Sequence, residues 1–252
     1  MRRLPQLGMA ILLFSATAAH AAQGINLRWS SCLGDGGSYN RNFACDTNAG
    51  TNVLVGSFEL GTPLAQVSGN EMVIDLWFGS LGLPAWWAFT KAGFCRQASL
   101  ALDTALPPAA LSCVDWASGR SAGGIGDYRL NLNGFGTAKI VMAIAVPATE
   151  LADLDAGQEY FSFRLTIDNA KTTGSSSCGG CAIPVCLHFL ALNLTTPDEA
   201  NDRHLTTATN GTGLTMVTAW QGGQTSPPNV VSCPLATPTR RESWGAVKAL
   251  YH

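Results

Sequence analysis

Apolar and polar positions alternate with a period of two along much of this chain, the signature of β-strands with one buried face. Residues 24–30 (GINLRWS) set Ile25, Leu27 and Trp29 against Asn26, Arg28 and Ser30, predicting a half-buried first strand. Residues 51–60 (TNVLVGSFEL) read as a second strand, stopped by Gly61-Thr62-Pro63. Ser68-Gly69-Asn70 supplies a turn, since Gly and Asn tolerate the backbone angles of a tight reversal. Residues 71–78 (EMVIDLWF) then put Met72, Ile74, Leu76 and Phe78 on one face and Glu71, Val73, Asp75 and Trp77 on the other.

A second run of strands follows. Residues 127–133 (DYRLNLN) alternate, and residues 139–146 (KIVMAIAV) are apolar on both faces, which predicts a central strand covered on both sides. In residues 159–168 (EYFSFRLTID) the alternation points Phe161, Phe163, Leu165 and Ile167 inward. It points Tyr160, Ser162, Arg164, Thr166 and Asp168 outward. The apolar run 185–194 (VCLHFLALNL) reads as a buried strand. Residues 216–220 predict a short strand and residues 243–251 (SWGAVKALY) a closing one.

The intervening segments are long. Residues 32–50 are rich in Gly, Asn and Asp and predict a loop. Residues 79–113 are the least regular part, with residues 98–106 a short helix or irregular, ended by Pro107-Pro108. Residues 118–126 (SGRSAGGIG) read as a flexible turn, and residues 198–215 as a polar loop. No internal repeat or linker is evident. The fold class expected is all-β: a disulfide-stapled antiparallel β-sandwich, jelly-roll-like or Ig-like, with long decorated loops, formed as one domain by residues 22–252.

The first 21 residues change the compartment. Arg2 and Arg3 precede an apolar core, Met9-Ala-Ile-Leu-Leu-Phe14, and Ala19-His20-Ala21 has the small-x-small form that signal peptidase reads. Residues 1–21 are therefore expected to be a signal peptide. The apolar core is too short to span a bilayer, which takes about 20 residues. The strand run 185–194 is likewise too short, and His188 and Asn193 interrupt it, so no membrane span is expected after cleavage. The expected location is secreted, periplasmic or cell-surface. The chain has 15 basic and 17 acidic residues, and loss of Arg2 and Arg3 leaves 13 against 17. Such a balance, without clustered Lys and Arg, excludes nucleic acid as an expected partner.

Cys32, Cys45, Cys95, Cys113, Cys178, Cys181, Cys186 and Cys233 all lie beyond the signal peptide. An even number in an exported chain predicts up to four disulfides. Proximity along the chain suggests Cys32 with Cys45 and Cys95 with Cys113. The cluster at 178–186 would then pair partly within itself and partly with Cys233. Cys178-Gly-Gly-Cys181 has the spacing of a redox pair, but that chemistry needs a helix N-terminus to lower a thiol pKa, and Pro184 and a β-rich run follow instead. Cys178, Cys181, Cys186, Cys233 and His188 could make a zinc shell, but in an oxidising compartment thiols pair with one another.

Three further features invite a functional reading. Trp86, Trp87 and Phe89, with Asp115 and Trp116, are the material for an aromatic sugar-stacking platform; the alternative is a plug at one end of the sandwich. Asp46-Thr47-Asn48-Ala49-Gly50 echoes the start of a calcium loop, with Asp46 and Asn48 as ligands, although the closing Glu is missing. No cofactor other than calcium is suggested. Asn193-Leu-Thr195 and Asn210-Gly-Thr212 match the glycosylation sequon.

Glu59, Glu71, Asp75 and Glu159 are the carboxylates in or beside strands. Glu71 and Asp75 stand about 13 Å apart on one strand, too far for a glycosidic pair, so a working pair would have to span different strands. There is no G-x-S-x-G, no H-E-x-x-H and no phosphate-cradling glycine loop. The first expectation is a non-enzymatic secreted structural, surface or binding protein, with an extracellular glycan or protein as the partner to look for. The alternative is a carbohydrate-binding module or glycoside-active enzyme on a jelly-roll scaffold, using the Trp platform and carboxylates from different strands.

Overall fold

The computed structural model describes residues 23–78, 82–90, 93–108, 110–132, 135–211, 216–222, 225–226 and 230–231. The expected signal peptide, Cys233 and the expected strand at 243–251 lie outside the described residues. Six strands fall where the alternating or apolar runs predict them: β1 (Gly24–Trp29), β3 (Thr51–Glu59), β5 (Gly69–Trp77), β9 (Thr137–Ala145), β11 (Glu159–Asp168) and β12 (Val185–Thr195). Between them lie β2 (Asn40–Arg41), β4 (Leu64–Val67), β6 (Leu100–Asp103), β7 (Val114–Asp115), β8 (Ala122–Leu130) and β10 (Ala152–Leu154). β13 (Arg203–Thr206) and β14 (Val217–Trp220) follow, and Thr225–Ser226 pairs with Val230–Val231.

Two sheets carry the architecture. One runs β1-β3-β11-β6, with β7 also on β11; the other runs β2-β14-β12-β5-β9-β8, with β13 also on β12. Pairing is antiparallel except for two short parallel contacts, β7 on β11 and β2 on β14. Neither sheet closes on itself among the described residues. The inward residues form one core: Ile25, Leu27, Leu54, Phe58 and Leu165 from one sheet meet Met72, Ile74, Leu76, Ile140 and Leu187 from the other. Phe163 meets Phe189 edge-on across the gap at 5.4 Å. Each such side chain, fully buried, contributes about 1.5–3 kcal/mol of hydrophobic free energy. This is a disulfide-stapled β-sandwich.

Several expectations are corrected. β1 is buried on both faces rather than half-buried; the loop after it folds back, pairing Ser38 with Trp29 and laying Tyr39 against Arg28. Residues 100–103 are a strand rather than helix, pairing with Leu165 and its neighbours through Leu102. Residues 122–126, expected as a turn, begin β8; the glycine at Gly123 lets that strand approach Ala143, whose carbonyl oxygen would lie 2.3 Å from an added Cβ. The polar loop 198–215 contains β13.

The alternation in β11 also fails at one point. A bulge at Ser162, between Phe161 and Phe163, reverses the facing of what precedes it. Phe163, Leu165 and Ile167 point into the main core as expected, and so does Tyr160, stacked on Phe58 at 5.6 Å. Phe161 instead faces outward, into a separate small cluster with Val55, Cys32 and Cys113.

The disulfide pairings differ most. The bonds are Cys32–Cys113, Cys45–Cys181 and Cys95–Cys178, with Cα separations of 6.1, 5.9 and 6.0 Å. Neither Cys32–Cys45 nor Cys95–Cys113 forms. Cys178 and Cys181 do not pair with each other; each reaches a different distant loop. Cys186 is disulfide-bonded as well. Sandwich topology joins loops that are remote in sequence, so neighbourhood along the chain is a poor guide to pairing.

Candidate functional site

The aromatic residues form a plug. Pro84 leads into a single 3-10 turn, Ala85–Trp87, that drives both tryptophans inward. Trp86 and Trp87 are fully buried and Trp116 almost so, which removes the stacking face that a sugar platform requires. Trp86 stacks on Trp220 at 5.0 Å and meets Trp87 edge-on at 5.2 Å; Trp29 and Phe89 complete the group. Polar groups around it face inward as well. Trp86 Nε1 donates to Thr172 Oγ1 at 3.0 Å, Trp220 Nε1 to the Cys181 carbonyl at 2.7 Å, and Tyr128 Oη to the Trp87 carbonyl at 2.6 Å. The Arg96 guanidinium lies 3.7 Å over the Trp86 ring, and burial lowers its pKa to about 10. Cys45–Cys181 and Cys95–Cys178 pin the loops that enclose this group.

Asp115 stands apart from the plug. Its carboxylate accepts the backbone N–H groups of Ala117 at 2.9 Å and Gly119 at 2.6 Å, forming a turn. Asn48 Oδ1 accepts the N–H groups of Thr172 and Thr173, at 2.8 and 2.9 Å, and ties its loop to the one before the cysteine cluster. Asp46 is exposed nearby. The sequons are structural too: Asn193 is buried in β12, and Asn210 exchanges two hydrogen bonds with the backbone of Ile25.

One cluster of metal-ligating residue types forms among the described residues. The Sγ atoms of Cys32 and Cys113 and a carboxylate oxygen of Glu159 lie within 4.8 Å of one another. The donor set is that of a soft divalent metal, but the two sulfurs are bonded to each other, so it can chelate only after reduction. In the oxidised protein Glu159 holds the Cys32 loop. It accepts from the N–H groups of Leu33 at 2.9 Å and Gly34 at 2.8 Å, and from Ser57 Oγ at 2.5 Å. Arg28, packed over the Tyr39 ring at 3.9 Å, adds a favourable charge. Glu59, opposite Glu159 in the ladder, has its pKa raised, first by burial and then by the Glu159 charge.

The outer face of the larger sheet carries a polar row that pattern reading did not assemble. Lys139, Asp75 and His188 stand opposite one another on β9, β5 and β12. Lys139 Nζ lies 3.7 Å from Asp75 Oδ1, and burial lowers the His188 pKa to about 4.

A concave feature among the described residues lies elsewhere again. A groove of about 510 Å³ opens between β4 and the connection from β12 to β13. Leu64, Ala65 and Gln66 form one wall; Asp198, Asn201, Asp202 and Arg203 form the other. The second wall is held by its own bonds. Asp202 Oδ1 accepts the Thr196 N–H at 2.8 Å, and Asp198 Oδ2 accepts from Asn201 Nδ2 at 3.2 Å. Gln66 sits at φ 59°, unusual for a residue with a side chain, with its N–H donated to Asp153 Oδ1 at 2.9 Å. Sequence reading passed over these residues, although DEANDR at 198–203 concentrates four charged residues in six within a chain only 13% charged. Among the described residues no helix is long and apolar enough to cross a membrane.

No family model, curated protein or solved structure matches this chain.

Proposed function

We propose that this protein acts outside the cytoplasm as a non-enzymatic β-sandwich module, jelly-roll-like or Ig-like, that binds or builds rather than transforms a substrate. One observation carries the reading. The side chains that chemistry would need are engaged in holding loops to sheets: Glu159 binds the Cys32 loop, Asp115 closes a turn, and Trp86 and Trp87 fill the core. Three disulfides among the loops suit a protein that must persist in an oxidising medium without cellular repair.

The test uses the oxidised protein from residue 22 onward. Nitrophenyl glycosides, nitrophenyl esters and a mixed peptide library should show no turnover above buffer, while pull-down on immobilised extracellular polysaccharides or matrix proteins should retain the protein. Turnover that disappears on a single carboxylate substitution would overturn the reading. So would three or more free thiols in the native protein.

A further inference from the structure

We infer that the groove between β4 and the β12–β13 connection is a binding site for a short, uncharged or amino-bearing sugar. The inference deepens the module reading above and rests on it.

The two walls of the groove present a guanidinium, a primary amide from Gln66, a second amide from Asn201 and the carboxylates of Asp198 and Asp202. These planar groups bridge neighbouring hydroxyls, because a sugar hydroxyl both donates and accepts a hydrogen bond. Leu64 is buried beneath this wall and anchors it to the core, so recognition at the groove is polar. The size, about 510 Å³, lies within the roughly 300–1,000 Å³ of small-molecule sites.

Internal hydrogen bonds hold part of the lining as a frame and leave the rest free to reach a ligand. Asp198 caps the 3-10 turn Glu199–Asn201, and Asp202 Oδ1 holds Thr196, so the wall is preorganised. Among the described residues, the Arg203 guanidinium, the Gln66 side-chain amide and Asp202 Oδ2 make no hydrogen bond or ion pair within the chain. Exposed or half-buried in the groove, these donors and acceptors are open to a ligand. Gln66 is also held at a positive φ, with its N–H bonded to Asp153 next to the irregular β4–β10 pairing, which fixes where its side chain leaves the wall.

Charge narrows the class. Two carboxylates against one guanidinium leave the groove at net −1, which disfavours sulfated or uronic polymers and admits neutral sugars or amino sugars. The buried tryptophans are not part of this site, so binding here needs no aromatic stacking.

The experiment is a ¹H–¹⁵N titration of the oxidised protein with six probes: mannose, galactose, N-acetylglucosamine, mannobiose, lactose and chitobiose. At least one probe should shift the amides of residues 64–66 and 196–203 saturably. Arg203→Ala and Gln66→Asn should each weaken that probe about tenfold or more, the scale of losing a hydrogen bond to a charged or well-placed group. Asn is chosen at position 66 because it tolerates a positive φ while shortening the reach. Neither variant removes an intramolecular bond, so the melting temperature should not change. Absence of a shift with all six probes overturns the inference, as does normal binding by both variants. Saturable shifts mapping to another surface overturn the groove but leave the module reading standing. Turnover of a disaccharide bound at the groove keeps the site and overturns the module reading instead.

Discussion

Arg96 shows how a charged residue can be entirely structural. It is 1% exposed, donates to the carbonyls of Trp86 at 2.8 Å and Ala170 at 3.0 Å, and also bonds the Asp168 carbonyl. Removing it takes the donor from three carbonyls, that of Trp86 buried, and strips the cation from the Trp86 face. Arg96→Ala should therefore lower stability by about 3–5 kcal/mol in guanidinium titration. Arg96→Lys should recover only part, because a single ammonium cannot span the fork. His188 makes a pH-dependent contribution. Burial beside Asp75 and Lys139 keeps its imidazole neutral, so the unfolded chain takes up the proton first as pH drops. Its contribution is complete above the ordinary histidine pKa near 6.5 and is lost as pH falls toward about 4. The loss approaches about 3 kcal/mol. A His188→Gln variant should show a flatter fall in melting temperature between those pH values; an unchanged slope would reject this account. Neither role was legible in the sequence, where a lone Arg beside a cysteine and a His in an apolar run carry no sign of what surrounds them.

At the scale of the element, the period of two located the main strands because a strand must present one face to the core. It could not locate the bulge in β11. Both registers satisfy the local pattern, and only the partner strand decides: Gly56 stands opposite Phe163, and Ser57 opposite Phe161. Gly56 is small for a reason, since a Cβ there would lie 2.1 Å from the Phe163 ring. Gly56→Ala should cost about 1–3 kcal/mol by overpacking. Combining it with Phe163→Leu should cost less than the sum of the two single changes, as measured by a double-mutant cycle. The same strand pair sets Glu59 against Glu159, a like-charge pair across a ladder. A carboxyl with a raised folded-state pKa contributes stability at low pH and loses it as pH rises through that pKa. The difference in melting temperature between Glu59→Gln and the parent should therefore grow in favour of the variant as pH rises above the ordinary carboxylate range. A constant difference would show that neither burial nor the Glu159 charge raises the Glu59 pKa.

At the scale of the whole molecule, three disulfides between described residues close long loops, with sequence separations of 81, 136 and 83. Long-loop closure is worth about 4–5 kcal/mol each on the chain-entropy account. Replacing Cys95 and Cys178 together with serine should therefore cost about 4 kcal/mol, read as a lower guanidinium midpoint. Peptide mapping of the oxidised protein should return the three pairs Cys32–Cys113, Cys45–Cys181 and Cys95–Cys178.

The boundary between what was readable and what was not follows from range. Strand periodicity, an even cysteine count and low charge density are properties of neighbouring residues or of composition, so they determined the stapled β class. The aromatic plug was present in sequence as the weighed alternative to a platform. Burial of Trp86 and Trp87 depends on which sheet ends meet above them, and only the assembled chain decided it. The groove, the polar row across β9, β5 and β12, and the three disulfides between described residues join residues far apart in the chain. Such pairings are set by which strands lie side by side, and strand order is a global choice that local pattern does not encode.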